Sequence, residues 1–186
     1  SWRMKFETEN ILAKAKPNKG HESVFKIFEM GKLTSVITQN IDGLHQASGI
    51  PDDKVIELHG NSTYASCLDC GKRYELDQIR KIFSDNETLP VCEKCGGIIK
   101  TATISFGQAM PVSEMRAAEQ KTLECDLFLA IGSSLVVFPA AGFPLQAKRN
   151  GAILTIINRD PTGLDGVADL VLNTEIGETL SAAVEY

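Results

Sequence analysis

Four of the five cysteines fall into two matched pairs, which is typical of a metal site. Cys67 and Cys70 enclose two residues, and the same spacing returns after residues 71–91 in Cys92 and Cys95. Each pair is followed by a glycine, which lets the backbone turn tightly around an ion. A thioredoxin-like redox pair is the alternative for a single Cys-x-x-Cys motif, but two matched pairs favour Zn²⁺.

The predicted zinc is structural, one ion per chain, because four protein thiolates leave no coordination position open for water or substrate. Its ligands are predicted to be Cys67, Cys70, Cys92 and Cys95. The segment 72–91 is charged and has little apolar content, so we expect it to lack a core of its own and to need the metal to fold.

A second group of chemically capable residues follows a short apolar run. Residues 36–38 are typical of a buried strand, and Gln39, Asn40 and Asp42 come directly after it. Parallel sheets bind ligands beyond the carboxyl ends of their strands, so amide and carboxylate groups at that point indicate a ligand site. A loop whose side chains cap local backbone N–H groups is the alternative.

Three further predicted strands, 127–131, 153–157 and 170–172, also end in small or amide residues. These residues are Gly132, Ser133 and Ser134 after the first strand, Asn158 after the second and Asn173 after the third. Strand ends in a parallel sheet share one edge, where hydroxyls and free backbone N–H groups suit phosphates and ribose. Singly, the serines could form an N-cap and Asn158 a turn, but their coincidence favours a nucleotide site.

His59 stands at the end of a further predicted strand, 55–58, immediately before the cysteine segment. The pKa of a histidine lies near neutrality, so His59 in a ligand crevice could act as a general base. A hydrogen-bonded structural histidine is the alternative, and it is the favoured interpretation for His45 and His21. The Phe106-Gly107 pair either lets another backbone approach or forms a turn.

The elements that must position these residues alternate between strand and helix. Helical spacing marks residues 8–15, 22–30, 113–123 and 140–150, and residues 101–106 complete the set of predicted strands. Apolar strands alternating with helices predict an α/β fold, a Rossmann-like, mostly parallel sheet with helices on both faces.

Composition bounds the function. The 186 residues are 43% hydrophobic and 23% charged, with a net charge of -5 and a pI near 5.3. Without a Lys/Arg block we expect no direct nucleic-acid partner. No apolar run approaches the ~20 residues of a membrane span and residues 1–5 show no signal-peptide pattern, so we expect no membrane partner and a cytoplasmic location. These features do not specify the oligomeric state, for which a monomer is favoured.

The ordered set of motifs resembles the sirtuins, the NAD-dependent protein-lysine deacylases. The resemblance rests on residues 38–45 (TQNIDGLH), 57–60 (ELHG), the two cysteine pairs, Phe106-Gly107, residues 132–135 (GSSL) with 139–141 (PAA), and Ile157-Asn158. It implies four regions: part of a helical module and the first main-domain helix (1–32), two parts of the Rossmann-like domain (33–62 and 101–186), and a zinc-ribbon insert (63–100).

The resemblance also implies roles for individual residues. In sirtuins the acyl group of a modified lysine in a protein or peptide passes to ADP-ribose, and nicotinamide leaves. The implied catalytic residues are His59, as the base, with Asn40 and Asp42. The implied NAD-binding residues are Gln39, Asn40, Ile41, Asp42, Gly132, Ser133, Ser134, Asn158, Arg159 and Ile176. The acylated peptide would lie as an added strand between Phe106-Gly107 and Val136, Val137 and Phe138.

Two departures from the family pattern bear on activity. Gln108 stands where sirtuins usually have Glu, and no G-x-G-x-x-G or Gly-Ala-Gly phosphate loop occurs in the 186 residues. We therefore expect these residues alone to bind NAD weakly or not at all and to have no deacylase turnover. A protein ADP-ribosyltransferase, or a non-catalytic zinc-stabilised fragment, are the alternative functions.

Overall fold

The computed structural model describes residues 2–12, 14–86, 88–105 and 107–185. In chain order its helices and strands are α1 (Trp2–Leu12), α2 (Lys19–Glu29), β1 (Val36–Thr38), α3 (Leu44–Ala47), β2 (Val55–Glu57), β3 (Gly60–Cys67), β4 (Arg73–Glu75), α4 (Leu76–Asn86), β5 (Ile99–Thr103), α5 (Val112–Glu124), β6 (Leu127–Ile131), α6 (Gly142–Arg149), β7 (Ile153–Ile157), β8 (Leu170–Leu172) and α7 (Ile176–Val184). No helix within these described ranges is long and apolar enough to cross a membrane.

The chain divides into two compact units, each made from separate stretches of sequence. The cysteine unit comprises Ser1–Lys16, Asn40–Leu44 and His59–Met110. The sheet unit comprises Pro17–Gln39, His45–Leu58 and Pro111–Tyr186.

The sheet unit contains the parallel strands that the sequence predicts. β6, β7 and β8 pair in parallel, with Ile131 opposite Ile157 and Ile157 opposite Leu172. Ile156 and Ile157 are adjacent on β7, so their side chains point to opposite faces of the sheet, and both are buried, as expected for a strand covered on both faces. The α/β prediction is confirmed, although β1 and β2 form a separate two-stranded parallel sheet in the described part of the chain.

Helix α2 begins three residues earlier than its predicted start because Asn18 caps it. The Asn18 Oδ1 accepts hydrogen bonds from the N–H groups of Gly20 at 2.9 Å and His21 at 3.2 Å, so two otherwise orphaned donors are satisfied. Buried Val24 on α2 joins a core cluster with Ile157 and Leu180. The helix is thereby packed against the end of β7.

The cysteine unit has an antiparallel sheet of order β4, β3, β5 and a substantial core. Residues 72–91 contribute Tyr74, Leu76 and Ile79 to this core, and all three are buried. Their partners include Trp2 on α1, which is distant in sequence. Helix α1 also begins well before the predicted residue 8. A window confined to the insert could not reveal a core completed by α1.

Candidate functional site

The four paired cysteines converge on one point. Their sulfur atoms all lie within 4.8 Å of one another, and the Cys67–Cys95 and Cys70–Cys92 sulfur pairs are 3.5 and 3.6 Å apart. Tetrahedral Zn–S bonds of about 2.3 Å place sulfurs about 3.8 Å apart, whereas a disulfide requires about 2.05 Å. The residues therefore fit a Cys₄ zinc ion, as predicted.

Two glycine turns form the metal knuckles. The Gly71 N–H donates to the Cys67 carbonyl at 3.0 Å, and the Gly96 N–H donates to the Cys92 carbonyl at 2.7 Å. Both glycines have positive φ, +69° and +75°, which the predicted tight turns require. These backbone turns therefore bring the two cysteines of each pair to the same side, facing the position of the ion.

Tyr74 supports the zinc site from outside the ligand set. Its hydroxyl is buried, donates to the Cys92 sulfur at 3.1 Å and accepts the Glu93 N–H at 3.2 Å. The hydrogen bond from Tyr74 lowers the pKa of the Cys92 thiol to about 6, and the same bond raises the pKa of Tyr74 to about 12. Cys92 is thus held towards the thiolate form that binds metal.

The role of Tyr74 was not anticipated from the sequence. An aromatic residue on a short strand is usually a packing residue, and Tyr74 also packs in the core. Only the fold shows that its hydroxyl reaches a ligand sulfur. The positively charged Lys72, which pairs with Glu93, lies 5.4 Å from the Tyr74 ring centre.

In the sheet unit, three of the four strand ends that the sequence predicts to share an edge meet there, whereas β1 pairs with β2 in a separate sheet. The Gly132 N–H donates to the Ile157 carbonyl at 2.9 Å, and the Asn158 N–H donates to the Leu172 carbonyl at 3.2 Å. The Asn173 amide then donates to the Asn158 carbonyl at 3.1 Å. This ladder fixes the backbone at the ends of β6, β7 and β8.

Gly132 makes a close contact that only glycine permits. Its φ is +60°, and a Cβ at this position would lie 2.9 Å from the Cδ1 of Ile176. Ser133 follows, and its hydroxyl accepts the Leu135 N–H at 3.2 Å, which is the local capping role considered as its alternative. Leu135 itself has φ of 55°, a strained conformation for a branched residue.

Arg159 and Asn158 make further contacts at this edge. The Arg159 guanidinium pairs with the Glu175 carboxylate through Nε at 2.9 Å and Nη2 at 2.8 Å. Both side chains are well exposed. The Asn158 side chain donates to the Asp160 carbonyl at 2.8 Å.

In the cysteine unit, the polar run after β1 is bound to the start of β3. The Ser62 N–H donates to the Ile41 carbonyl at 2.7 Å, and the Asp42 carboxylate accepts the Leu44 N–H at 3.0 Å. Asp42 therefore makes a local cap, and Asn40 is exposed. Gln39 is half-buried at the end of β1 in the sheet unit.

His59 occupies the turn between β2 and β3 and belongs to the same unit as Asn40, Ile41 and Asp42. Its carbonyl accepts the Ile104 N–H at 2.9 Å. A Cβ on the next residue, Gly60, would lie 2.0 Å from the Ala102 carbonyl oxygen. The backbone is thus locked on β5, and His59 is held half-buried.

His45 has different surroundings, in the sheet unit. It lies on α3, and its ring centre is 4.9 Å from that of His21 on α2. Its carbonyl also accepts the Ser48 hydroxyl at 2.6 Å and the Ser48 N–H at 3.2 Å. These contacts support a structural role for His45.

The predicted peptide-binding residues lie on exposed segments. Val136, Val137 and Phe138 are 67%, 51% and 75% exposed, and consecutive exposed apolar residues indicate a binding surface. Gly107 is also exposed, with φ of +80° and open space where a side chain would stand. Phe106 lies outside the described residues.

Comparison with known proteins decides the family. Residues 1–139 match the model of the Sir2 family. The chain belongs to the Sir2 family. This sirtuin is 55% identical over 184 residues to NAD-dependent protein deacetylase 1 of Bradyrhizobium diazoefficiens, covering 99% of the chain and 72% of that relative. It is 53% identical to the NAD-dependent protein deacetylase of Rhodopseudomonas palustris, with 99% and 73% covered.

Solved structures agree with this assignment. The sirtuin superposes on Sir2Tm bound to a propionylated peptide with a TM-score of 0.88 and 36% identity, covering 99% of this chain and 76% of that one. A Sir2 complex with a p53 peptide and NAD⁺ gives a TM-score of 0.83 at 38% identity, with 94% and 71% covered. The α/β fold with its four-cysteine site is therefore the sirtuin fold.

Proposed function

We infer that this sirtuin is an NAD-dependent protein-lysine deacetylase that uses NAD as co-substrate and acylated lysine in a protein or peptide as substrate. The observation that carries this function is the match to NAD-dependent protein deacetylases over 99% of the chain at 53–55% identity. Related Sir2 structures contain an acetylated peptide, or a p53 peptide with NAD⁺.

His59 is proposed as the general base. A turn locked by the Gly60–Ala102 contact fixes its backbone, and a base must be held in place to take a proton from a ribose hydroxyl. Asn40 and Asp42 are proposed to assist at the nicotinamide ribose, with Gln39 and Ile41. This placement is supported by the hydrogen bond from the Ser62 N–H to the Ile41 carbonyl, which holds the polar run against the start of β3.

The edge at the ends of β6 to β8 is proposed to bind the rest of NAD. Gly132, Ser133, Ser134, Asn158, Arg159 and Ile176 are the proposed contacts. The positive φ of Gly132 turns the backbone at the end of β6, and small and amide residues at the ends of three strands are of the kinds that suit phosphates and ribose. Bound NAD supplies the ribose carbon that receives the acyl oxygen as nicotinamide leaves.

Substrate peptides are proposed to bind as an added strand along Phe106-Gly107 and Val136–Phe138. Open space at Gly107 and the exposed apolar side chains at 136–138 support this placement. Main-chain recognition of this kind tolerates varied sequences. The zinc thiolates must stay reduced, which favours the cytoplasm as the place of action.

The test is to incubate the full-length protein with NAD and an acetyl-lysine peptide, and to measure nicotinamide release and product masses. Deacetylation gives free lysine peptide and acetyl-ADP-ribose in equal amounts. A peptide or protein heavier by ADP-ribose would instead identify ADP-ribosyl transfer. No acetyl-dependent release of nicotinamide would contradict the proposed function. The unacetylated peptide is the matched control.

A further inference from the structure

The two segments proposed to hold the peptide carry no charge of their own. The longer stretches that enclose them, residues 101–113 around Phe106-Gly107 and residues 132–147 around Val136–Phe138, contain no Asp, Glu, Lys or Arg. Lys100, at the N-terminal boundary of the first segment, brings a cationic side chain into contact with it. Selection by charge along this segment therefore depends on how Lys100 is paired.

Lys100 is held against the turn by two neutral oxygens. Its ammonium donates to the Thr103 carbonyl at 2.5 Å and to the Gln108 side-chain oxygen at 3.3 Å. The same Gln108 oxygen accepts the Ser105 N–H at 3.1 Å, while the Gln108 N–H donates to the Ser105 carbonyl at 2.9 Å. The Gln108 amide thus closes the turn around Gly107 and positions the ammonium beside it.

The charge of Lys100 is not neutralised by this arrangement. Both of its acceptors are uncharged, and the ion pairs formed by the described residues do not include Lys100. The side chain is half-buried, which reduces screening by water. A glutamate at position 108 could accept the same two hydrogen bonds and would cancel the charge.

We propose that Lys100 makes this sirtuin prefer acyl-lysines that have Asp or Glu beside them, and that glutamine at position 108 creates this preference by leaving the ammonium unpaired. The inference rests on the proposed function and on the peptide lying along Gly107. A peptide carboxylate near the turn is attracted to the ammonium, and a peptide lysine is repelled.

The test uses three acetyl-lysine peptides that differ only in the flanking residues, which are Asp, Ala or Lys. Because the Lys100 ammonium attracts Asp and repels Lys, kcat/KM for the Asp peptide should exceed that for the Lys peptide by about 3–10-fold at low salt. The difference should arise in KM, since the charge acts on binding, and it should shrink towards unity in about 1 M NaCl.

Two variants assign the preference to this pair. Gln108→Glu keeps the hydrogen bonds of the turn and should bring the Asp/Lys ratio of kcat/KM to about one or below. Lys100→Met should also bring the Asp/Lys ratio of kcat/KM to about one. Lys81→Met is the control, because it removes one exposed positive charge from α4 in the same unit and should leave the ratio unchanged.

The outcomes separate this inference from the proposed function. Equal kcat/KM for all three peptides, with turnover intact, would overturn the charge preference and leave deacetylation standing. An unaltered ratio in Gln108→Glu would also overturn it. Absence of acetyl-dependent turnover with every peptide would overturn the proposed function and this inference with it.

Discussion

The zinc site and the strand-end edge hold their residues by different means. All four zinc ligands lie between residues 67 and 95, on two tight turns whose geometry is set by Gly71 and Gly96. The strand-end edge takes Gly132, Asn158 and Asn173 from three separate strands, joined by the register of the sheet. The first site is local in sequence, whereas the second depends on long-range pairing and on the core beneath it.

This difference has consequences for how each site fails. Loss of one thiolate removes the ion that links both turns, so the zinc site should fail as a whole. Strain at the end of one strand leaves the hydrogen bonds between the other strand ends in place. A single substitution there should therefore lower the stability of the edge only in part.

The largest effect is expected for Cys92→Ser. Zinc content should fall from about one ion per chain to nearly none, because a hydroxyl is a poor replacement for a thiolate ligand. Trp2, the only tryptophan, shares a core cluster with Cys92, so its fluorescence should shift to the red as that core opens. Cys125→Ser, in the sheet unit, is the control and should keep both zinc and the Trp2 signal.

His59→Ala should reduce kcat for deacetylation by about 10²–10⁴-fold, the usual contribution of a positioned base. Zinc content and melting temperature should stay nearly unchanged, because the surrounding turn is held by backbone contacts. His45→Ala should behave in the opposite way and lower the melting temperature more than kcat. A fully active His59→Ala enzyme would show that another group acts as the base.

Tyr74→Phe should weaken zinc affinity by about 10–100-fold, as measured by competition with a chromogenic chelator. The phenylalanine keeps the ring packing and removes only the hydrogen bond to Cys92. That bond lowers the Cys92 pKa to about 6, so its loss raises the pKa. Because zinc is released as its thiolates protonate, release should begin at a higher pH in the variant. Identical pH profiles would contradict this role for Tyr74.

The smallest effect is expected for Gly132→Ala. Alanine at φ of +60° costs about 1–2 kcal/mol, and the new Cβ presses on Ile176. Chemical denaturation should show a loss of that size, accompanied by weaker NAD binding in titration calorimetry. Gly142→Ala is the matched control, since its Cβ would meet nothing within 4 Å, and it should be neutral. Equal stability of the two variants would mean that the edge tolerates the strain.

The contrast also explains how much the sequence could predict. The cysteine spacing specifies its ligands because the turns are local, and β6, β7 and β8 are recognisable as short apolar runs. The core of the cysteine unit could not be predicted from residues 72–91 because Trp2 completes it. The hydroxyl of Tyr74 and the Gln108–Lys100 contact depend on how β4 and β5 place side chains, which no local pattern reports. The roles of His59 and the NAD-binding residues stay predictions.

The discontinuous make-up of the two units bears on folding during synthesis. Every stretch of the cysteine unit has been made once the ribosome passes Met110, whereas the sheet unit needs residues up to its C-terminal helix. Domains generally fold as units in the order of their synthesis. The cysteine unit can therefore capture its metal while α2, β1 and β2 still wait for Ile157 and Leu180 to complete their core. During that interval the apolar face of α2 lacks the residues that bury it in the folded protein.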